Sequence, residues 1–234
     1  GTMGSDATPY LEWMRVNNIN VDHIKIVDDS YTAQAYITTD KSANQITTFH
    51  PGAMQYSHEV LIPNDGSISL GLISPDGRDG MINHTKQLIE MGVPCIFDPG
   101  QGMPMFNKDE LDFFAKNSSW IIMNNYEFKM FHEVTGFTTS DLVKDNKVLI
   151  ITNGDKGSNI FNKTEMLEIP TPKVDDPKDP TGCGDAYRAG LVYGIMKGMT
   201  LSKIGNLSSA LGALKVKNFG TQNHSITKDI KNLL

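Results

Sequence analysis

The 234 residues of the chain, 39% hydrophobic and 21% charged, are enough to bury the core of one large domain, with or without a small appendage. Its net charge of −6, without a basic stripe, argues against nucleic acid or an anionic membrane surface as a partner. Because it has only two cysteines, no apolar membrane span and no signal-peptide pattern, we expect a cytoplasmic protein.

The first part of the chain predicts a helix followed by a β-hairpin. Residues 8–17 have a helical pattern. Residues 33–39 and 45–49 are short, β-branched runs, and the polar residues 40–44 between them are typical of a turn. We therefore expect the two runs to pair.

From residue 67 onward, apolar strand candidates alternate with helical patterns. Strands are predicted at 68–73, 94–97, 120–123 and 148–151, and helices near 80–91, 107–116 and 126–134. Alternation of this kind predicts a mostly parallel sheet with helices on both faces. A second hairpin over 158–161 and 165–169 and three helices over 183–197, 201–217 and 226–233 complete the chain.

The strongest functional signal is the stretch of seven residues from Asp179 to Asp185, Asp-Pro-Thr-Gly-Cys-Gly-Asp. Gly182 and Gly184 let the backbone approach a ligand closely, and free N–H groups at the start of the following helix favour negative charge. A bound phosphate would repel Asp185, so the useful geometry has its carboxylate facing a substrate hydroxyl beside the phosphoryl group. This arrangement indicates a phosphotransferase with a carboxylate base. The alternative is an aspartate N-cap with a glycine-rich entry loop.

Other phosphate-binding motifs are excluded directly. No Gly-x-x-x-x-Gly-Lys-Ser/Thr sequence occurs, and Tyr187 stands where a dinucleotide-binding fingerprint requires its third glycine. An ordinary dinucleotide-binding enzyme is therefore disfavoured.

The stretch resembles, at every fixed position, the Asp-x-Thr-Gly-x-Gly-Asp signature of the ribokinase-like (phosphofructokinase-B type) sugar and nucleoside kinases. The resemblance implies an α/β fold, a ribokinase-like three-layer α/β/α sandwich with a mostly parallel sheet and a small β lid. It implies a lid at residues 21–52 and a kinase core at 1–20 and 53–234. Residues 1–6 resemble a turn within the family, so we expect the family's earlier section, with a first strand and a Gly-Gly signature, to be absent from this chain.

Within the signature, we expect Asp185 to accept the proton of the attacking hydroxyl. The backbone amides of Gly182, Cys183 and Gly184 would stabilise charge on the transferred phosphoryl group. A nucleophilic role for the Cys183 thiol is the alternative, although no histidine lies nearby in the sequence.

Two cation sites are implied by the resemblance. Asn124-x-x-Glu127 is similar to the family's Asn-x-x-Glu motif, whose carboxylate organises Mg²⁺ through water around the phosphates. The alternative is a helix N-terminus capped by Asn125. Asp179 and Thr181 lie where family members can bind a monovalent cation such as K⁺, and an ordinary loop role is the alternative there.

Two further segments are implied to bind ATP. Thr152-x-Gly154-x-x-Gly157 resembles the family's Thr-x-Gly-x-x-Gly turn along the ATP phosphates and ribose, although the same string is common in ordinary turns. Gly220 and Asn223, before the last helix, are expected near the ATP adenine.

Several segments along the chain are similar to the bacterial adenosine kinase branch of the family. The resemblance implies that Phe49 stacks on the purine, that Gln101 contacts the nucleoside and that Arg188 belongs to the substrate site. An inward-facing strand position is the alternative for Phe49. The chain departs from the branch at Gly102, where some relatives have glutamine, and at Ala35, which replaces a lid aromatic.

These observations together predict ATP-dependent phosphorylation of a nucleoside hydroxymethyl group, with adenosine converted to AMP as in purine salvage. The alternatives are a kinase for a sugar such as ribose or a fructose phosphate, and a non-catalytic nucleotide-binding homologue. Because lid strands in this branch can cross to a partner, a homodimer formed through the lid is also expected.

Overall fold

The computed structural model describes residues 1–40 and 45–231, and the chain forms two compact units, Gly1–Asn117 and Ser118–Leu234. The first unit contains both strands of the predicted lid hairpin, and the second contains the signature loop. None of the helices in the described part of the chain has the length and apolar character to cross a membrane. The functional division into a kinase core and a lid stays a prediction.

The first unit combines short strands with three α-helices. Its strands are β1 Thr2–Gly4, β2 Lys25–Val27, β3 Gln34–Thr39, β4 Gln45–His50, β5 Gly71–Ile73 and β6 Cys95–Phe97. Its helices are α1 Thr8–Val16, α2 Arg78–Glu90 and α3 Lys108–Asn117, with 3₁₀ turns at Gly52–Glu59 and Gly100–Met105. Strands β1 and β2 are parallel, as are β5 and β6. The rings of Phe97 and Phe114 stack with centroids 4.4 Å apart, which packs α3 against β6.

The predicted lid hairpin is present, with β3 and β4 antiparallel and Ala35 opposite Phe49. Most of its predicted turn, residues 41–44, lies outside the described residues. Phe49 is 50% exposed, and Tyr36 and Ile46 on the same ribbon are exposed as well. The exposure of Phe49 does not support the alternative of an inward-packed strand residue.

The strands of the second unit are four or five residues long. Its strands are β7 Trp120–Asn124, β8 Val148–Thr152, β9 Ser158–Phe161 and β10 Met166–Ile169. Its helices are α4 Asn125–Thr135, α5 Thr139–Leu142, α6 Cys183–Met196, α7 Leu201–Lys215 and α8 Lys228–Lys231, with 3₁₀ turns at Lys144–Asn146 and Gly154–Lys156. Strands β7 and β8 are parallel, whereas β9 is antiparallel to both β8 and β10. The buried apolar runs of β7 and β8 explain why these strands form the interior of the unit.

Close packing of α6 on α7 fixes the helix that follows the signature. A Cβ atom added to Gly190 would lie 2.7 Å from the Cα atom of Ser208, so only glycine permits this approach of the two helices. One turn later, a Cβ atom on Gly194 would meet the side chain of Ile204 at the same distance, 2.7 Å. The orientation of α6, and therefore of its first turn, is set by this contact.

Most predicted elements are confirmed, with ends that differ by no more than three residues. The end of the predicted helix 226–233, at residues 232–233, lies outside the described residues. Two expectations were wrong. In the expected turn over residues 1–6, only Ser5 and Asp6 form a turn, and Thr2–Gly4 is a strand parallel to Lys25–Val27. Its pairing depends on a segment 23 positions away that a local pattern does not reveal. In the predicted strand 68–73, only Gly71–Ile73 is extended and paired.

Candidate active site

The signature loop is held in shape by its own first residue. The Oδ1 atom of Asp179 accepts the N–H of Thr181 at 2.9 Å, and the N–H of Cys183 donates to the carbonyl oxygen of Pro180 at 3.1 Å. Gly182 then takes a left-handed conformation with φ +85°, which favours glycine, and α6 begins at Cys183. The chain therefore turns sharply and directs the first turn of α6 toward the loop.

The start of α6 offers a carboxylate and free backbone donors together. Within the described residues, the N–H groups of Gly182, Gly184 and Asp185 donate no hydrogen bond, whereas that of Cys183 is engaged in the turn. The exposed Asp185 side chain makes no hydrogen bond or ion pair within the same residues. An anion can be bound by these amides and by the positive end of the helix, while the carboxylate stays available for a proton.

The expected contribution of Cys183 changes in two respects. Its N–H is not available to an anion, because it donates to Pro180, so the free donors at the helix start are those of Gly182, Gly184 and Asp185. Its side chain is half-buried, and this burial raises the pKa of the thiol. Since the thiolate is the reactive form, the geometry disfavours the alternative of a nucleophilic cysteine.

Arg188 brings a permanent positive charge to the same helix start. It lies one turn after Gly184 on α6, and a Cβ atom added to Gly184 would be 2.6 Å from its Nη1 atom. The guanidinium group therefore covers the glycine whose amide is free. Arginine in this position is suited to phosphate or another anion, and its predicted role in the substrate site stays a prediction.

The two residues predicted to hold a monovalent cation are engaged within the loop. Besides the amide of Thr181, the Asp179 carboxylate accepts the N–H of Gly220 at 2.9 Å through Oδ2. The Thr181 amide lowers the pKa of Asp179. The Nζ atom of Lys215, which is fully buried, lies 3.8 Å from the same Oδ2 atom and donates to the Asp179 carbonyl oxygen at 2.7 Å. Asp179 therefore has a loop-forming role, and its predicted part in a cation site stays a prediction.

The predicted phosphate turn after β8 closes on itself. The N–H of Asn153 donates to the carbonyl oxygen of Gly157 at 2.8 Å, and both Gly154 and Gly157 have positive φ angles, +61° and +94°. The side chain of Thr152, at the end of β8, is partly exposed. The turn thus presents a hydroxyl and bends tightly, as phosphate binding requires, although its role stays a prediction.

A buried pair of hydroxyl groups connects this turn to α6. Ser158 follows the turn directly, and its Oγ atom lies 2.8 Å from the phenol oxygen of Tyr187 on α6. Both side chains are buried, and desolvation raises the pKa of the Tyr187 phenol. The pair fixes the turn and the signature helix relative to each other.

The Asn-x-x-Glu motif forms a helix cap at the end of β7. Asn124 accepts the N–H of Glu127 at 2.8 Å, and the Glu127 carboxylate accepts the N–H of Asn124 at 2.7 Å. This reciprocal arrangement is a capping box, so the cap is Asn124 and not Asn125. Asn124 is paired in register with Thr152, which places the ends of β7 and β8 side by side.

The chemistry of the Glu127 carboxylate fits a water-mediated magnesium site. No group of three or more His, Cys, Asp or Glu residues that could hold a metal ion exists within residues 1–40 and 45–231. Mg²⁺ retains most of its waters and needs few protein oxygens when nucleotide phosphates are present. A magnesium ion here would therefore depend on the nucleotide, and the role of Glu127 stays a prediction.

The remaining predicted residues lie in two different places. Asn223 is exposed and donates to the carbonyl oxygen of Phe219 at 3.1 Å, close to Gly220 and the signature loop. Phe49 and Gln101 belong to the first unit, where the side chains of both are exposed. Exposure leaves both free to meet a ligand, and their roles stay predictions.

Three structurally important residues were not identified from the sequence. Lys215 ends an apolar helix pattern, where a lysine is usually solvated and favourable to the helix dipole. Ser158 and Tyr187 are hydroxyl residues within a strand and a helix, where neither pattern indicates that they pair. The sequence shows only that each of these three side chains is a polar group among apolar neighbours, and this pattern does not identify the group with which each one pairs.

Nearly the whole chain matches one family. Residues 1–229 match the pfkB family of carbohydrate kinases. The nucleoside kinase of Methanocaldococcus jannaschii is 32% identical over 220 residues, which is 94% of this chain and 72% of the relative. Its structure, described as an archaeal member of the ribokinase family, has a TM-score of 0.90 and covers 99% of this chain and 78% of its own.

A second similar protein has been solved with ligands. The structure of Burkholderia thailandensis nucleoside kinase with inosine is 41% identical, has a TM-score of 0.94 and covers 98% of this chain and 75% of its own. The complex described as ADP-inosine has a TM-score of 0.93 at 40% identity and covers 100% of this chain and 74% of its own. The expected ribokinase-like α/β fold, with a mostly parallel central sheet, is confirmed by these similarities.

Proposed function

The chain belongs to the pfkB family of carbohydrate kinases, which are ATP-dependent phosphotransferases, and from this premise we propose that its acceptor is a nucleoside. The proposed reaction transfers the γ-phosphoryl group of ATP to the 5′-hydroxyl of the nucleoside and releases ADP. The similarity to nucleoside kinases of two organisms supports the choice of acceptor, because both cover nearly the whole chain.

One observation carries the chemical part of the proposal. The exposed Asp185 carboxylate, which has no partner in the described residues, lies in the same helical turn as the free N–H groups of Gly184 and Asp185. A base and an anion site are thereby combined within one turn. Proton acceptance and charge stabilisation are the two tasks that a phosphoryl transfer to an alcohol requires.

In the proposed mechanism, Asp185 accepts the proton of the 5′-hydroxyl as its oxygen attacks the γ-phosphorus atom of ATP. The bond between that phosphorus and the bridging oxygen to the β-phosphate breaks, and ADP leaves with the electron pair. The N–H groups of Gly184 and Asp185 and the guanidinium group of Arg188 stabilise the negative charge on the transferred group. The turn containing Thr152, Gly154 and Gly157 would orient the phosphates.

Magnesium would be held through water by Glu127 and by the nucleotide phosphates, where it would neutralise part of the phosphate charge. Glu127 is suited to this task because its capping hydrogen bond to Asn124 fixes the orientation of the carboxylate. Gly220 and Asn223, close to the signature loop, are proposed to lie near the adenine of ATP.

Adenosine is the proposed acceptor, with AMP as the product. Phe49 would stack on the purine, and stacking tolerates different bases. Gln101 would contact the nucleoside with an amide that both donates and accepts hydrogen bonds, so it suits a 6-amino or a 6-oxo purine. Inosine, bound by the similar Burkholderia enzyme, is therefore the most informative competitor. A homodimer through the lid hairpin remains part of the proposal.

The experiment is an acceptor panel on the purified protein. ADP release is measured with ATP and adenosine, inosine, uridine, ribose or fructose 6-phosphate, and the product is identified by mass spectrometry. We expect the highest kcat/KM with adenosine and a nucleoside 5′-monophosphate as the product. If only ribose or fructose 6-phosphate is turned over, the acceptor is a sugar and not a nucleoside. Stabilisation by ATP without any ADP release would indicate a non-catalytic nucleotide-binding homologue.

A further inference from the structure

A lysine side chain is completely buried behind the signature loop. Lys215 is the last residue of α7, and its side chain has 0% exposure. Lysine is almost never fully buried unless its charge is compensated, because removing an ammonium group from water is costly. The surroundings of this Nζ atom must therefore replace its hydration.

Three oxygen atoms surround the ammonium group. Nζ donates to the backbone carbonyl oxygen of Asp179 at 2.7 Å and to that of Asn218 at 3.2 Å, and it lies 3.8 Å from Oδ2 of the Asp179 carboxylate. Carbonyl and carboxylate oxygens are the kind of ligands that hard cations take in proteins. An ammonium group and a potassium ion also have similar radii and the same charge.

The same residues do not fit an additional cation. The Asp179 carboxylate already accepts the amides of Thr181 and Gly220, and its single negative charge is matched by Lys215. A potassium ion on the carbonyl oxygen of Asp179 would lie next to the ammonium group, and like charges repel at that distance. The Asp179 oxygens expected to bind a monovalent cation thus already face a cationic side chain of the same chain.

We propose that the Lys215 ammonium group performs the task of a bound monovalent cation and makes the enzyme independent of K⁺. The ammonium group connects the segment that contains Asn218 to the segment that contains Asp179. Asp179 lies four residues before Cys183, where α6 begins. The loop that presents Gly184 and Asp185 is thereby preformed without an external ion, which keeps the anion site in one geometry. Lys215 is a positioning residue, since it acts through the loop and not on the substrate.

The first test uses the unmodified protein. We measure kcat with the best acceptor, ADP affinity by calorimetry and the melting temperature, each in potassium chloride and in tetramethylammonium chloride at equal ionic strength. All three quantities are expected to be the same in the two salts. A potassium-specific gain in kcat, ADP affinity or melting temperature would overturn the proposal. ADP binding and melting need no acceptor, so they remain decisive if the proposed nucleoside acceptor is wrong.

The second test removes the ammonium group. For Lys215→Met in tetramethylammonium chloride we expect kcat to fall by about tenfold or more, because the loop loses its fixed geometry. Ammonium or potassium ions should restore part of this activity, whereas lithium ions should not. The matched control is Lys217→Met, which changes an exposed lysine two positions after Lys215. It should behave like the unmodified protein in both salts.

Rescue that depends on the size of the cation separates the proposal from a purely structural role. A folded Lys215→Met protein with full activity, or with reduced activity that no cation restores, would contradict it. If Lys215→Met does not fold, the comparison of the two salts with the unmodified protein decides the question.

Discussion

Replacement of Asp185 by asparagine tests the centre of the proposed mechanism. The substitution keeps the shape of the side chain but removes its ability to accept a proton. Loss of a positioned general base typically lowers kcat by about 10²- to 10⁴-fold. This corresponds to about 3–5 kcal/mol in the activation free energy.

The same substitution should leave the fold nearly intact. Asp185 is exposed and makes no hydrogen bond or ion pair within the described residues, so the main folded-state interaction lost is with the dipole of α6. That interaction contributes about 0.3–1 kcal/mol. For a chain of this size, the melting temperature should fall by no more than about 4 °C.

The assay separates the two effects. We measure kcat and KM with saturating ATP, the melting temperature, and the dissociation constant of ADP. ADP should bind as well as before or more tightly, because a negative charge beside the anion site has been removed. Asp109→Asn is the matched control, since Asp109 is also an exposed carboxylate in a helical first turn. It should leave kcat and ADP binding unchanged and lower the melting temperature by a similarly small amount.

A kcat within about threefold of the unmodified value would refute the assignment of Asp185 as the base, since a general base contributes far more than that. A parallel loss of kcat, ADP affinity and melting temperature would also refute it, because the residue would then act through the structure.

The other predictions concern the elements that position the site. Tyr187→Phe should lower the free energy of unfolding, measured in urea, by about 1–3 kcal/mol, because the buried hydroxyl of Ser158 loses its partner. In the double variant with Ser158→Ala, part of that loss should be restored, because no hydroxyl is left without a partner. Gly157→Ala should lower the melting temperature clearly, since φ is +94° at this position and the added Cβ would collide with a carbonyl oxygen of β10. An unchanged melting temperature would contradict the described turn. The pKa of Asp179 is lower in the folded state than in the unfolded chain, so its carboxylate stabilises the fold above the unfolded pKa of about 4 and this contribution is lost as the pH falls. The difference in unfolding free energy between the unmodified protein and Asp179→Asn should therefore shrink from about pH 6 to about pH 3, and a constant difference would show that the charge is not involved.

Local patterns predicted the secondary structure well where the pattern is long. The buried strands β7 and β8 are continuous apolar runs, and α6 and α7 have clear helical spacing, so their existence could be predicted without tertiary information. The three-residue strand β1 could not, because its only determinant is the distant partner β2. The cap at Asn124 was missed by one residue, since asparagines at 124 and 125 are equally suitable in sequence.

The sequence alone determined the family, the position of the carboxylate and the glycine-rich turns, because these depend on residue types at fixed spacing along a few adjacent positions. The tertiary structure decided how the remaining polar groups are used. In the folded chain, the Cys183 amide donates within a turn, and Ser158 pairs with Tyr187. The ammonium group of Lys215 is buried against Asp179, 36 positions away. Each of these outcomes depends on which oxygen or nitrogen atom lies within hydrogen-bond distance once distant segments have packed, and no local spacing contains that information.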